Sequence, residues 1–273
     1  MTFKQKLENI IKKNNSLLCV GLDSDLEKIP RHLHKKENPI FEFNKIIIDK
    51  TYDLVCAYKP NIAFYASEGL LGLKQLVQTI FYIRLKYPDI PIILDAKRAD
   101  IGSTSMLYAK EAFDVLKADA VTVNPYLGFD SLRPFLERKG KGIIILCRTS
   151  NQGASDLQDL NVNKNPLYLE VAKKVVEWNK MYKNCLMVVG ATWPQQLKKI
   201  REIASDMFFL IPGVGAQNGN LKNTLRYGFD KNFSGLIISA SRSIIFASEE
   251  FDFAERAREE ALELKNEINK YRK

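Results

Sequence analysis

Asp95, Lys97 and Asp100 fall within six positions of one another, directly after the apolar run Pro91-Ile92-Ile93-Leu94. If the chain stays extended past Leu94, residues two apart point to the same side, so the Asp95 carboxylate and the Lys97 ammonium meet at the C-terminal end of a strand. Asp100 then follows on a loop or a first helical turn. Two acids flanking one lysine favour its charged form and strain the acids, a pattern suited to delivering a proton. A solvated charged loop after a strand has the same composition, so the surroundings have to decide. Histidine is scarce: His32 and His34 form a His-x-His in a polar segment with no cysteine nearby. That falls short of a metal site, so no metal is predicted and acid–base chemistry is left to Lys, Asp or Glu.

The elements that would position this cluster are legible as short apolar runs at 17–22, 55–58, 92–94, 120–123, 143–146, 186–189, 208–211 and 236–239. Segments with helical periodicity lie between or beyond them, at 69–87, 104–116, 167–182, 194–203 and 249–271. Unalternated apolar strands separated by helices call for a parallel sheet covered on its outer side. Eight such units predict an α/β protein with a (β/α)₈ TIM barrel, taken as a single domain over 1–273 because no linker-like tract interrupts it. Phe3, Leu7, Ile10 and Ile11 add an amphipathic helix at the N-terminus. A doubly wound open sheet satisfies the same alternation.

In a barrel the working residues follow the strands at one rim. There the sequence places Asp23 after the first run, Lys59-Pro60-Asn61 after the second, and Thr149-Ser150 after the fifth. Pro212-Gly213-Val214-Gly215-Ala216-Gln217-Asn218-Gly219 follows the seventh and Arg242 the eighth. Glycines let backbone N–H groups approach a ligand closely, and Arg242 adds a fixed cation beside them. That pairing fits a phosphate site better than a mere tight turn.

The net charge of +9, from 41 Lys+Arg against 32 Asp+Glu, is spread without a basic block, which argues against a nucleic-acid surface. No apolar run approaches a membrane span. Cys19, Cys56, Cys147 and Cys185 stand far apart in or beside apolar runs and read as small buried hydrophobes in a reducing compartment. A cytoplasmic location is predicted, with neither nucleic acid nor membrane as a partner.

Asp95-Ala96-Lys97-Arg98-Ala99-Asp100-Ile101 resembles the Asp-x-Lys-x-x-Asp signature of the orotidine 5′-monophosphate decarboxylases, in their monofunctional bacterial type-2-like and protozoan-like form. Gly21-Leu22-Asp23, Lys59-Pro60-Asn61-Ile62-Ala63-Phe64-Tyr65, the 212–219 loop and the Arg242 segment extend the likeness from the first strand to the eighth. The resemblance implies a carboxy-lyase that converts orotidine 5′-monophosphate to uridine 5′-monophosphate and CO2, the last step of de novo pyrimidine biosynthesis, without a cofactor. It implies catalytic roles for Lys97, as proton donor to C6, and for Asp95, Lys59 and Asp100. Asp23 and Asn61 would contact the ribose, Thr149 and Ser150 the pyrimidine, and Gly215, Gln217 and Arg242 the phosphate. Asp100, Ile101 and Thr104 would reach into a neighbouring subunit's site, so a homodimer with shared sites is expected.

Ala99 stands where relatives often carry glycine; a left-handed backbone there would cost alanine about 1 kcal/mol. The segment 151–165 is longer than the simplest members need and has the position of a lid, though a mobile surface loop after the fifth strand has the same composition. Two other readings share parts of the pattern. A sugar-phosphate decarboxylase or aldol-type synthase of the same superfamily would use Mg²⁺ and an acid where the lysine network stands. A silent nucleotide-binding barrel would have no need of Lys59, Asp95, Lys97 and Asp100 together.

Overall fold

An apolar run without polar alternation has to be covered on both faces, and each of the eight runs becomes a strand that is. In the computed structural model, which describes residues 1–214 and 220–272, the strands are β1 (Leu18–Leu22), β2 (Ala57–Pro60), β3 (Ile93–Arg98), β4 (Ala120–Val123), β5 (Gly142–Arg148), β6 (Asn161–Val162), β7 (Asn165–Pro166), β8 (Cys185–Val189), β9 (Phe209–Ile211) and β10 (Leu236–Ala240). All but β6 and β7 belong to one sheet, in the order β2-β1-β10-β9-β8-β5-β4-β3, with every pairing parallel. Its two edges meet through parallel bridges at Tyr58–Ile92 and Asn61–Asp95, so the sheet closes into a (β/α)₈ barrel. The open-sheet alternative is thereby excluded. Every residue of β1, β2, β4, β8, β9 and β10 is buried.

Parallel strands need crossovers, and helices supply them. The helix Gly69–Lys86, for example, turns Leu76, Ile80 and Ile83 onto the barrel. The N-terminal helix Phe3–Asn14 opens on a capping box in which Thr2 and Gln5 satisfy each other's backbone N–H, and it buries Phe3, Leu7, Ile10 and Ile11 as their spacing predicts. A Cβ on Gly142 would lie 2.4 Å from the Phe3 ring, so that glycine is what lets the helix lie against the start of β5. On the far side Arg201, buried, donates to the carbonyls of Gly228, Ala204, Met207 and Gly235, and its guanidinium lies 3.7 Å from the centre of the Phe209 ring. It locks the helix Pro194–Ile203 to the entries of β9 and β10. Among the described residues no helix is long and apolar enough to cross a membrane.

Candidate active site

One parallel barrel brings all the strand ends to one rim, and there Asp23, Lys59, Asp95 and Lys97 form a continuous chain of charge. Lys59 Nζ lies 3.7 Å from Asp23 Oδ1 and 3.0 Å from Asp95 Oδ2. Lys97 Nζ lies 2.7 Å from Asp95 Oδ1. Asp95 is 8% and Lys59 5% exposed, whereas the Lys97 side chain is half exposed and faces the open mouth of the barrel. Burial alone would raise the Asp95 carboxyl, but the ammonium groups of Lys59 and Lys97 hold it well below the usual carboxylate range. Burial alone would lower Lys59, and the Asp95 and Asp23 carboxylates instead hold it above the ordinary lysine value. Two lysines thus share one carboxylate, and Asp95 is kept ionised.

Lys97 does not reach Asp95 by simple strand alternation. From Leu94 to Arg98, β3 advances against β4 only from Val121 to Val123, so the chain bulges there. Lys97 takes φ +48°, in the left-handed region that L residues avoid at a cost of about 1–2 kcal/mol. The backbone N–H groups of Ala96 and Lys97, displaced from the ladder, donate to Thr122 Oγ1 at 3.0 and 2.9 Å. The same hydroxyl donates to Asp95 Oδ1 at 2.9 Å. The left-handed residue is therefore Lys97, not Ala99, whose φ is negative, and the cost anticipated at Ala99 does not arise. Arg98 turns away to make a two-pronged pair with Glu111.

The remaining expected site residues divide. Asn61 is bridged to Asp95 through the backbone, and its side chain caps the helix Ile62–Ala66 by accepting from Ala63 N. Asp23 Oδ1 is buried with no hydrogen-bond partner among the described residues. Arg242 is exposed at the start of the short helix Arg242–Ile245, and Ser241 beside it donates to the Gly21 carbonyl at 3.1 Å, tying this corner to β1. Gly213 takes φ +94°, which glycine alone adopts freely. Gly215 and Gln217 lie outside the described residues. Asp100 does not flank Lys97: it accepts from the N–H of Ile101 at 2.7 Å, and Ile101 and Thr104 are exposed. The lysine between two acids is, within one chain, an acid between two lysines. His32 stacks on Phe251 with 4.5 Å between ring centres, and His34 Nε2 lies 3.1 Å from the Ile29 carbonyl.

Around Thr149 and Ser150 the sequence reading missed the machinery. Arg148, wholly buried, pairs through Nε and Nη2 with both oxygens of Asp159 at 3.0 Å, donates to the Thr149 carbonyl and stacks on Trp193. Gln158 accepts from Thr149 N at 2.9 Å and donates to its hydroxyl at the same distance. The 151–165 segment thus holds the rim through Asp159 and Gln158, and its chain runs on into the β6–β7 hairpin. A Cβ on Gly190 would fall 2.6 Å from Ser150 Cα, so the end of β8 must be glycine for Ser150 to sit where it does. Aspartate and glutamine eleven and ten residues beyond Arg148 gave no sequence signal, because the fold alone brings them back.

A family model described as "Orotidine 5'-phosphate decarboxylase / HUMPS family" matches residues 16–257. The orotidine 5'-phosphate decarboxylase of Cellvibrio japonicus (strain Ueda107) is 54% identical over 272 residues, covering 98% of each chain. That of Janthinobacterium sp. (strain Marseille) is 50% identical over 99% of each. Among solved structures, Leishmania donovani OMP decarboxylase superimposes with a TM-score of 0.87 at 39% identity, covering 100% of this chain and 99% of that one.

Proposed function

The chain belongs to the orotidine 5′-phosphate decarboxylase family, and from that premise we propose how its rim converts orotidine 5′-monophosphate to uridine 5′-monophosphate and CO2. The observation that carries the reading is the 2.7 Å contact of Lys97 Nζ with Asp95 Oδ1 at the open mouth of the barrel. The bond from C6 to the carboxylate breaks, CO2 leaves, and the electron pair stays at C6. Lys97 opposes that charge as it develops and then gives C6 a proton, its amine regaining one from solvent. Asp95 faces the departing carboxylate, and its two oxygens are engaged by Lys59, Lys97 and Thr122, so it neither swings away nor relaxes as the reaction proceeds. Asp23 and Asn61 take the ribose, Thr149 and Ser150 the pyrimidine, and Arg242 with the 215–219 loop the phosphate, whose binding energy helps to orient the ring.

The Mg²⁺-dependent alternative asks for a metal-binding acid where the lysine network stands, and the residue there is Lys59, 3.0 Å from Asp95. Purified protein is therefore expected to deplete orotidine 5′-monophosphate absorbance at the same rate in excess EDTA as in Mg²⁺. Loss of activity in chelator and its return with Mg²⁺ would count against the assignment.

Asp100, Ile101 and Thr104 complete the site of a second subunit. Ile101, Met106, Leu107, Tyr126 and Leu127 are all exposed along the segments after β3 and β4, an apolar stretch suited to a partner copy. Mixing Lys97→Ala with Asp100→Ala protein under subunit exchange is expected to recover activity that neither has alone, since one site of each hybrid then holds both native residues. A mixture as inactive as its parents would mean that Asp100 serves its own chain. The buried, unpaired thiols of all four cysteines fit a cytoplasmic enzyme.

A further inference from the structure

We propose that Thr122 is a positioning residue of this decarboxylation, the hydroxyl that holds the proton-donating lysine and its carboxylate in register; the inference rests on the reading of Lys97 and Asp95 given above. Thr122 lies on β4 and is 1% exposed. A hydroxyl has one proton and two lone pairs, and here all three are committed to the three consecutive residues Asp95, Ala96 and Lys97 of β3. The proton goes to Asp95 Oδ1 at 2.9 Å, and the lone pairs take the N–H groups of Ala96 at 3.0 Å and Lys97 at 2.9 Å. The oxygen of Asp95 that it binds is the one that Lys97 Nζ binds.

The arrangement has a reason in the backbone. Where β3 bulges, two successive part-buried N–H groups stand off the β4 ladder, and N–H groups shielded from water and left unpaired are costly. Thr122 supplies the missing acceptor from a side chain, and that allows Lys97 to keep its left-handed conformation. Without the hydroxyl, the bulge that points Lys97 at the mouth loses both its anchors, and Asp95 loses the neutral donor that fixes its rotation. Valine matches threonine in shape but offers neither a proton nor a lone pair.

Thr122→Val is expected to lower kcat on orotidine 5′-monophosphate by about 30- to 100-fold, the effect of one lost hydrogen bond to a charged group. KM, and affinity for uridine 5′-monophosphate, which has no carboxylate to lose, are expected to move by less than about 3-fold. Thr122→Ser keeps the hydroxyl and is expected to hold kcat within about 5-fold of the native enzyme. Should the valine protein not fold, Thr122→Ala against Thr122→Ser makes the same comparison without added bulk. The proposal is overturned if the hydroxyl-free variant keeps kcat within about 3-fold, if the serine variant falls as far as it does, or if product affinity collapses along with kcat. Native protein with no decarboxylase activity would instead overturn the underlying reading, before any variant is compared.

Discussion

Lys97→Ala should lose at least about 10⁴-fold in kcat while folding normally. The loss is large because one side chain carries two contributions. General acid catalysis is worth roughly 10²–10⁴-fold and a preorganised charge opposite a developing anion roughly 10²–10³-fold, and the two are not independent when a single ammonium provides both. Folding should survive because the Lys97 side chain is half exposed and its backbone keeps its bond to Thr122. Asp95 retains Lys59 at 3.0 Å and Thr122 at 2.9 Å, so the melting temperature is expected to change by only a few degrees. Lys97→Arg separates the two contributions. A guanidinium keeps the charge but holds its proton at any physiological pH, so arginine should restore little of the activity. The measurement is single-turnover absorbance decay of orotidine 5′-monophosphate, with thermal melting alongside. An alanine variant that turns over within 10-fold of the native rate would sink the role assigned to Lys97.

The barrel was legible because its signal is local. Each strand is a run such as Ile143-Ile144-Ile145, buried on both faces, and no partner is needed to recognise it. The order of the rim residues followed once the parallel topology was assumed, which is why Asp23, Lys59, Asp95 and Lys97 could be gathered in advance. What escaped were features decided by contact between strands. Extended geometry placed Asp95 and Lys97 side by side, and they are, but through a bulge and a left-handed residue that only the pairing of β3 with β4 creates. Thr122, in an otherwise apolar strand, reads as an ordinary β-branched filler until the two N–H groups opposite it are seen to lack partners. Closeness in sequence suggests that Asp100 flanks Lys97, but its side chain turns back on the Ile101 N–H, which leaves Lys97 to Asp95 within this chain.

Asp95→Ala is expected to remove activity and also about 3–5 kcal/mol of stability, a depression of the melting temperature on the order of 10 °C. The reason lies with what it leaves behind. Lys59 is buried, loses its 3.0 Å partner, and keeps only Asp23 at 3.7 Å, while Lys97 becomes a second, unopposed cation beside it. The pH dependence gives the test its sign. In the native protein the Asp95 carboxyl lies below its unfolded value, so its contribution is present above about pH 4 and is lost as pH falls through the folded value. The Lys59 ammonium lies above its unfolded value, so its contribution is present below about pH 10 and is lost only as pH rises through the folded value. Between about pH 5 and 9 both are at full strength, and the cluster's contribution should be level. In the variant the balance at Lys59 changes: burial is no longer opposed by Asp95, the folded lysine binds its proton less tightly than the unfolded one, and stability should rise with pH toward the lysine range. The deficit against native protein should therefore be largest near neutrality and shrink on the alkaline side, read as paired melting temperatures across that range. A variant that melts within about 2 °C of native protein at neutral pH would mean that Lys59 is not held by Asp95, and the charge chain from Asp23 to Lys97 would no longer account for how Lys97 is aimed.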